Sequence, residues 1–495
     1  MCTQSLLVSP LKSACATKYE QIEEPDMANI VDAVLEHEAD DRPAIIGETR
    51  TTSYRDLVDL ARRLTGGLRQ RFRNDEDVCL VVSHPGLEES LALTLAGWSL
   101  GHRVAVLPPY LTSRELEYAL DQCSPVVTVS DQTPDSAGSV AFRTLLDAPA
   151  SDLGSSASDA WLETFTSGTT GHSKCVDRRV SRLSDDIEQL ASAMGLNADD
   201  KVTAMTTALS TTSVLPALLA GSTVVTIPLQ TARQFWKAIS DTSITVISGT
   251  PYAYEFAGRK KPEPGQLKNV RTALTTSARL RPDTARRFME DTGVSIRNIM
   301  CSSESGHIAY NSSTDVELLA TSVGRTLPGV TVEVRDDAGK VLPVGQSGRI
   351  CIKSPYTATG YRNDPDSTAA VFQGDWVVST DVGYLDAQGF LYLTGRDDHK
   401  IHFGAAKLDP QELEDILLSH PAVDDALVVG EAHVRLGQIP VAQVVTSRET
   451  EATELLAYCR EQISATKVPQ RIEFVDKITK DFKGQPVRPK YVRFD

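Results

Sequence analysis

The 495-residue chain has no Cys-x-x-Cys pair, no long uninterrupted apolar run, no excess of positive charge, and neither an internal repeat nor a low-complexity tract. Its eight cysteines (Cys2, Cys15, Cys79, Cys123, Cys175, Cys301, Cys351 and Cys459) are scattered, so their spacing indicates neither a zinc site nor a disulfide framework. A reducing cytoplasm is the expected setting. The longest apolar stretch, 214–229, is broken by Pro216, Gly221 and Pro228 and falls short of the ~20 residues that span a bilayer. A formal net charge of −16 argues against a broad nucleic-acid or anionic-membrane surface, though not against a local basic pocket. Residues 1–26 hold a brief apolar patch without a basic segment before a long apolar core, and read as a loosely ordered leader rather than a signal peptide.

What is present begins with the stretch 166–174, TSGTTGHSK, directly after the apolar-flavoured run 161–165. Gly168 and Gly171 allow close backbone approach, the hydroxyls of Thr166, Ser167, Thr169 and Thr170 can donate hydrogen bonds, and Lys174 supplies a point charge. Such a loop suits a polyphosphate. It cannot be threaded as GxxxxGK[ST], which excludes a Walker A loop. On its own it reads equally well as a surface loop.

Around it the chain alternates helix-like and strand-like stretches. Residues 54–69 form an amphipathic helical pattern with Leu57, Leu60, Ala61, Leu64 and Leu68 on one stripe. Apolar strands at 78–83, 103–107 and 126–130 are separated by helical patterns at 87–100 and 113–121. The rhythm resumes at 224–227, 244–248 and 294–300, and implies layered α/β subdomains with parallel strands. Residues 330–352 and 382–393, with turns at 336–339, 345–348 and 386–389, read as antiparallel hairpins. A compact α/β unit follows from 397, predicted as helix 411–419, strands 426–429 and 441–445, helix 451–464 and strand 471–475.

Several motifs then converge in order and spacing. The phosphate loop resembles that of the adenylate-forming superfamily: acyl-CoA synthetases, luciferases and peptide-synthetase adenylation domains. Residues 300–306 (MCSSESG) resemble its YGxTE segment, 380–383 (TDVG) its TGD motif, and 395–414 (GRDDHKIHFGAAKLDPQELE) its GRxDxxIK…PxEIE hinge. The resemblance covers nearly the whole chain after the leader. It implies a large N-terminal adenylate-forming domain (27–396) and a small mobile C-terminal α/β domain (397–495) that turns at Asp398. It further implies an ATP- and Mg²⁺-dependent ligase that forms an acyl- or aryl-adenylate, releases pyrophosphate, and transfers the acid to a thiol or amine acceptor. By the same resemblance Lys174 holds the β- and γ-phosphates, Ser303 bonds a phosphate oxygen, Glu304 ligates Mg²⁺, Asp381 accepts from the ribose hydroxyls, and Arg396 assists at ribose or phosphate.

The chain departs from that pattern in three places. Gln485 stands where the C-terminal G-K-x-x-R motif carries its catalytic Lys, with Gly484 and Arg488 aligned without a gap and Lys483 two residues away as a substitute. Loss of that charge can cost roughly 3 kcal/mol in the transition state. The acid pocket looks filled: Thr276, Ser277 and Ala278 replace Gly-Gly-Ala, Cys301 replaces a Gly, and Thr206 lies in a segment lacking the usual His. Met300 replaces the aromatic that stacks on adenine. Third, Ala405 follows Gly404 where CoA's pantetheine arm passes, and His402 replaces a Lys. The expected substrate is a small or unusually shaped acid, and the acceptor is CoA, an amine or a carrier protein. Three alternatives follow from the departures: activation of a non-carboxylic oxyacid such as nitrite, carrier-protein loading, or a catalytically degenerate ATP-binding sensor.

Overall fold

The structure, a computed structural model, describes residues 29–72, 78–84, 86–107, 111, 113–123, 126–129, 139–154, 160–165, 174–205, 209–227, 231–403, 406–433, 437–463, 468–480 and 486–488. The leader 1–26 lies outside them. Among the described residues no helix is long and apolar enough to cross a membrane.

The α/β rhythm resolves into two sheets. In spatial order the six-stranded sheet runs Ser139–Val140, Val126–Val129, Cys79–Val82, Arg103–Val106, Trp161–Phe165, Cys175–Arg179. Its pairs are parallel except the last, a hairpin whose strands bracket the phosphate loop. The nine-stranded sheet is parallel from Ile296–Ser302 to Pro43–Ile46 and closes with antiparallel strands at each edge. The amphipathic helix between them, Tyr54–Arg71, starts at a capping box in which Ser53 and Asp56 satisfy each other's backbone N–H groups. Of its predicted stripe, Leu57, Ala61, Leu64 and Leu68 are fully buried and Leu60 is half-buried.

The predicted hairpins form a five-stranded antiparallel sheet containing Thr331–Arg335, Gly348–Lys353, Trp376–Leu385 and Leu391–Arg396. Its inward residues Val332, Val334, Ile350, Ile352 and Leu391 join the same core as the large sheets. After Arg396 a short 3₁₀ turn, Asp397–His399, leads into a separate unit. There strands Val423–His433 and Gly437–Thr446 pair antiparallel and Arg471–Phe474 adds a parallel edge, covered by helices Pro410–Leu418 and Ala452–Gln462. This unit closes its own core around Leu413, Leu417, Val428, Val444 and Leu455.

Candidate active site

The hairpin Trp161–Phe165/Cys175–Arg179 pairs Phe165 with Cys175, so both ends of the phosphate loop leave the same edge of the sheet. Thr166, Ser167, Gly168, Thr169, Thr170 and Gly171 themselves lie outside the described residues. Lys174, at the foot of the loop, donates to Ser367 Oγ at 2.8 Å and sits 4.6 Å from the centroid of the Tyr361 ring.

Ser303 and Glu304 occupy the turn between strands Ile296–Ser302 and Gly306–Tyr310. The turn closes on Gly306, whose φ of 77° lies in the left-handed region and whose missing Cβ leaves room for Asp186, 2.6 Å from where that atom would stand. Asp186 anchors the turn from below. It accepts from the His307 backbone N–H at 2.9 Å and from Arg178 Nη2 at 2.7 Å, and lies 3.1 Å from His307 Nδ1. Burial would raise the Asp186 carboxyl, but His307 and Arg178 outweigh it and hold it well below the usual carboxylate range.

Glu304 Oε1 accepts from the Tyr361 hydroxyl at 2.7 Å. Burial, and then the Glu304 carboxylate, push the Tyr361 phenol far above its ordinary range, so it remains a donor; the Arg396 charge acts in the opposite sense. Arg396 and Asp381 face each other in register across the hairpin Trp376–Leu385/Leu391–Arg396. Arg396 Nη1 reaches Asp381 Oδ1 at 3.3 Å and Nη2 donates to Thr380 Oγ1 at 2.6 Å, while Ser379 Oγ donates to Asp381 Oδ2 at 2.9 Å. Lys174 and Glu304 thus meet on Tyr361, and the charge of Arg396 acts on the same phenol.

Tyr361 and Ser367 were not legible as site residues. The available signal was the helix start that follows them: Asp364 caps helix Pro365–Val371, accepting from the Ser367 N–H, and this fixes Ser367 in front of Lys174.

The residues expected to line the acid pocket behave unevenly. Thr276 Oγ1 and Cys301 Sγ touch at 3.3 Å, so two of the bulkier replacements close on each other. Ser277 is exposed and holds φ 74°, a conformation that Gly adopts without strain and Ser does not. Ala278 is half-buried beside it. Met300 packs into the large core, 7% exposed, among buried residues rather than on an open face. Thr206 lies outside the described residues.

Asp398 sits in the middle of the 3₁₀ turn. Its neighbour Asp397 is held on one side by Arg349 and on the other by Lys400 at 2.8 Å. Lys483, Gln485, Gly404 and Ala405 lie outside the described residues, and His402 lies in strand Ile401–Phe403. Just beyond the first two, Arg488 donates to Glu414 Oε2 and to the Val428 carbonyl, each at 2.7 Å. Glu414, the last acid of the hinge motif, is 3% exposed and also accepts from the Val428 N–H. The hinge motif and the C-terminal motif are therefore joined by the Glu414–Arg488 pair within the C-terminal unit.

Known proteins match the chain along most of its length. Residues 32–362 match the family model described as AMP-binding enzyme, and 412–484 match its C-terminal domain. A probable CoA ligase of Humulus lupulus is 29% identical over 354 residues, covering 69% of this chain and 67% of the relative. The oxalate–CoA ligase of Arabidopsis thaliana is 26% identical over 373 residues, 72% of each chain. In fold, the ATP-bound MatB of Rhodopseudomonas palustris superposes with a TM-score of 0.83 at 23% identity, covering 92% of this chain and 97% of that one. With its family model spanning more than half the sequence, the chain belongs to the AMP-binding enzymes, the adenylate-forming ligases.

Proposed function

We propose that the chain activates a small or unusually shaped carboxylic acid as its adenylate, with release of pyrophosphate, and then passes the acyl group to the thiol of CoA. The observation that carries this reading is that Lys174 and Glu304 meet on Tyr361, whose phenol also feels the charge of Arg396, itself paired with Asp381: groups of both charge signs suited to a nucleotide triphosphate. Glu304 fits a hard cation: Oε1 is engaged by a neutral phenol, and among the described residues Oε2 carries no hydrogen bond. Bound there, Mg²⁺ supplies neutralisation of phosphate charge.

The chain's own residues do the rest. Lys174 and the loop grip the β- and γ-phosphates, Ser303 bonds a phosphate oxygen, and Asp381 receives the ribose hydroxyls with Arg396 beside it. A carboxylate oxygen of the acid bonds to the α-phosphorus as the bridging bond to the β-phosphate breaks. Lys483 or Gln485 faces the developing charge on the α-phosphate. The C-terminal domain, 397–495, then turns at Asp398. The CoA sulfur bonds to the acyl carbon, the acyl–phosphate bond breaks, and AMP leaves.

The contact between Thr276 and Cys301 favours a small acid. So does the relative named for oxalate, a two-carbon acid. The test is pyrophosphate release with ATP and Mg²⁺ over a panel from short aliphatic and aryl carboxylates to long fatty acids and nitrite, with and without CoA, amines and carrier protein. Release with a small carboxylate, raised by CoA, is expected. Release with nitrite alone, or none despite ATP binding, overturns the proposal. Glu304→Gln is expected to reduce release by at least 100-fold with the fold intact.

A further inference from the structure

The sheet face beneath the phosphate-loop hairpin carries a cluster that adenylation does not use. Strand register sets Cys79 beside Arg103, Ala105 beside Glu163, and Glu163 opposite Asp177. Side chains alternate along a strand, so Cys79, Arg103, Glu163, Asp177 and Cys175 share one face. Cys123, immediately after helix Ser113–Gln122, packs onto it in an apolar cluster with Val81, Ala105 and Ala119. All three cysteines are free thiols and are buried.

Glu163, 1% exposed, divides its two oxygens. Oε1 faces cations, Arg103 and, at 3.2 Å, Arg362. Oε2 faces sulfur, with Cys79 Sγ at 3.3 Å and Cys175 Sγ at 3.8 Å. Donor atoms of Cys79, Cys123 and Glu163 all lie within 4.8 Å of one another, and those of Glu163, Cys175 and Asp177 form a second such group sharing Glu163.

We propose that Cys79, Cys123 and Glu163 Oε2, with Cys175 adjoining, form a buried site for a thiophilic divalent cation such as zinc, distinct from the Mg²⁺ position at Glu304. Charge balance favours it. Glu163 and Asp177 already offset Arg103 and Arg362, and a buried site tolerates no surplus charge. A divalent cation that displaces the protons of Cys79 and Cys123 to solvent forms two metal–sulfur bonds, breaks two S–H bonds, and leaves the net charge unchanged. Two or three sulfurs and one carboxylate oxygen suit tetrahedral zinc, with Zn–S of about 2.3 Å, and disfavour Mg²⁺. Spacing rules miss the site because its ligands come from separate elements, 44 residues apart for Cys79 and Cys123. The cation ties the central strand Cys79–Val82 to Trp161–Phe165, the strand that runs directly into the phosphate loop, and so braces that loop's root.

The test is the full chain produced in cobalt-supplemented medium, with metal content and the near-ultraviolet absorption measured after purification. One cobalt per chain and a thiolate-to-cobalt charge-transfer band are expected, falling at least tenfold in Cys79→Ser and Cys123→Ser and unchanged in Cys301→Ser. Should the first two variants not fold, X-ray absorption at the cobalt edge of the wild-type chain decides: two or three sulfur neighbours support the site. A metal-free wild-type chain, an oxygen- and nitrogen-only shell, an intact mass showing a disulfide instead, or a band that survives both substitutions overturns it.

Discussion

Tyr361 donates its hydroxyl hydrogen to Glu304 at 2.7 Å while its ring lies under the ammonium of Lys174. One side chain thus sets the separation of a cation and an anion that are 130 residues apart in sequence. Tyr361→Phe keeps the ring and its edge-on contact with Phe372 but removes the bond to Glu304. A hydrogen bond to a charged group is worth about 1.5–3 kcal/mol, so kcat/KM for ATP is expected to fall roughly 10- to 100-fold with the melting temperature little changed. Steady-state pyrophosphate release at varied Mg²⁺ checks it; an unchanged Mg²⁺ requirement and rate would detach Tyr361 from the site.

Asp186 gives a pH signature. Its carboxyl is held low in the folded chain, so the stability it contributes is fully present above the unfolded value near 3.8 and is lost as pH falls below it. Asp186→Asn leaves the buried Arg178 without its partner, which is expected to cost about 3–5 kcal/mol near neutral pH. The gap between wild type and variant should narrow below about pH 4, as read from urea midpoints at several pH values. A gap constant with pH would contradict the assignment.

Much of this arrangement is legible in the sequence, and the rest is hidden for identifiable reasons. Asp381 and Arg396 each carry their own motif, and the turn at 386–389 announces the hairpin that brings them into register. Thr276 and Cys301 are visible as bulky replacements, but their contact depends on neighbouring parallel strands, which pairing rules alone do not order. The cysteine cluster is hidden for the same reason. The strand rhythm predicts parallel strands but not which sheet each joins: Pro43–Ile46 pairs with Thr223–Thr226, far later in the chain, while the strands from Cys79–Val82 to Cys175–Arg179, between them in sequence, form the six-stranded sheet.

Ser277 stores strain that a single substitution can release. A non-glycine residue in the left-handed region costs about 1–3 kcal/mol, and Ser277→Gly is expected to recover about 1 kcal/mol of it. Combined with Cys301→Gly it removes two side chains from the proposed acid pocket. The double variant should shift relative kcat/KM toward larger acids, measured by competition between a short and a bulky carboxylate. An unaltered preference would mean that these residues do not bound the acid.

The Arg488–Glu414 pair predicts a rescue. Arg488→Ala leaves a buried carboxylate alone, and a loss of about 3–5 kcal/mol is expected. Glu414→Gln in that background removes the stranded charge and should restore part of the loss. Thermal unfolding of the two single variants and the double variant forms the cycle; strict additivity would show that the pair is not coupled.

The links between the C-terminal unit and the rest of the chain include Arg349 to Asp397 and Arg279 to Asp415, the latter at 2.6 Å. Both Arg279 and Asp415 are well exposed to solvent. The rotation proposed at Asp398 would trade such pairs for hydrated ions, at little cost in water. A joint of this kind would be lubricated by dissolved ions: added salt screens the latches without touching either core, so the poise between the two proposed half-reactions would become a property of the medium as well as of the chain.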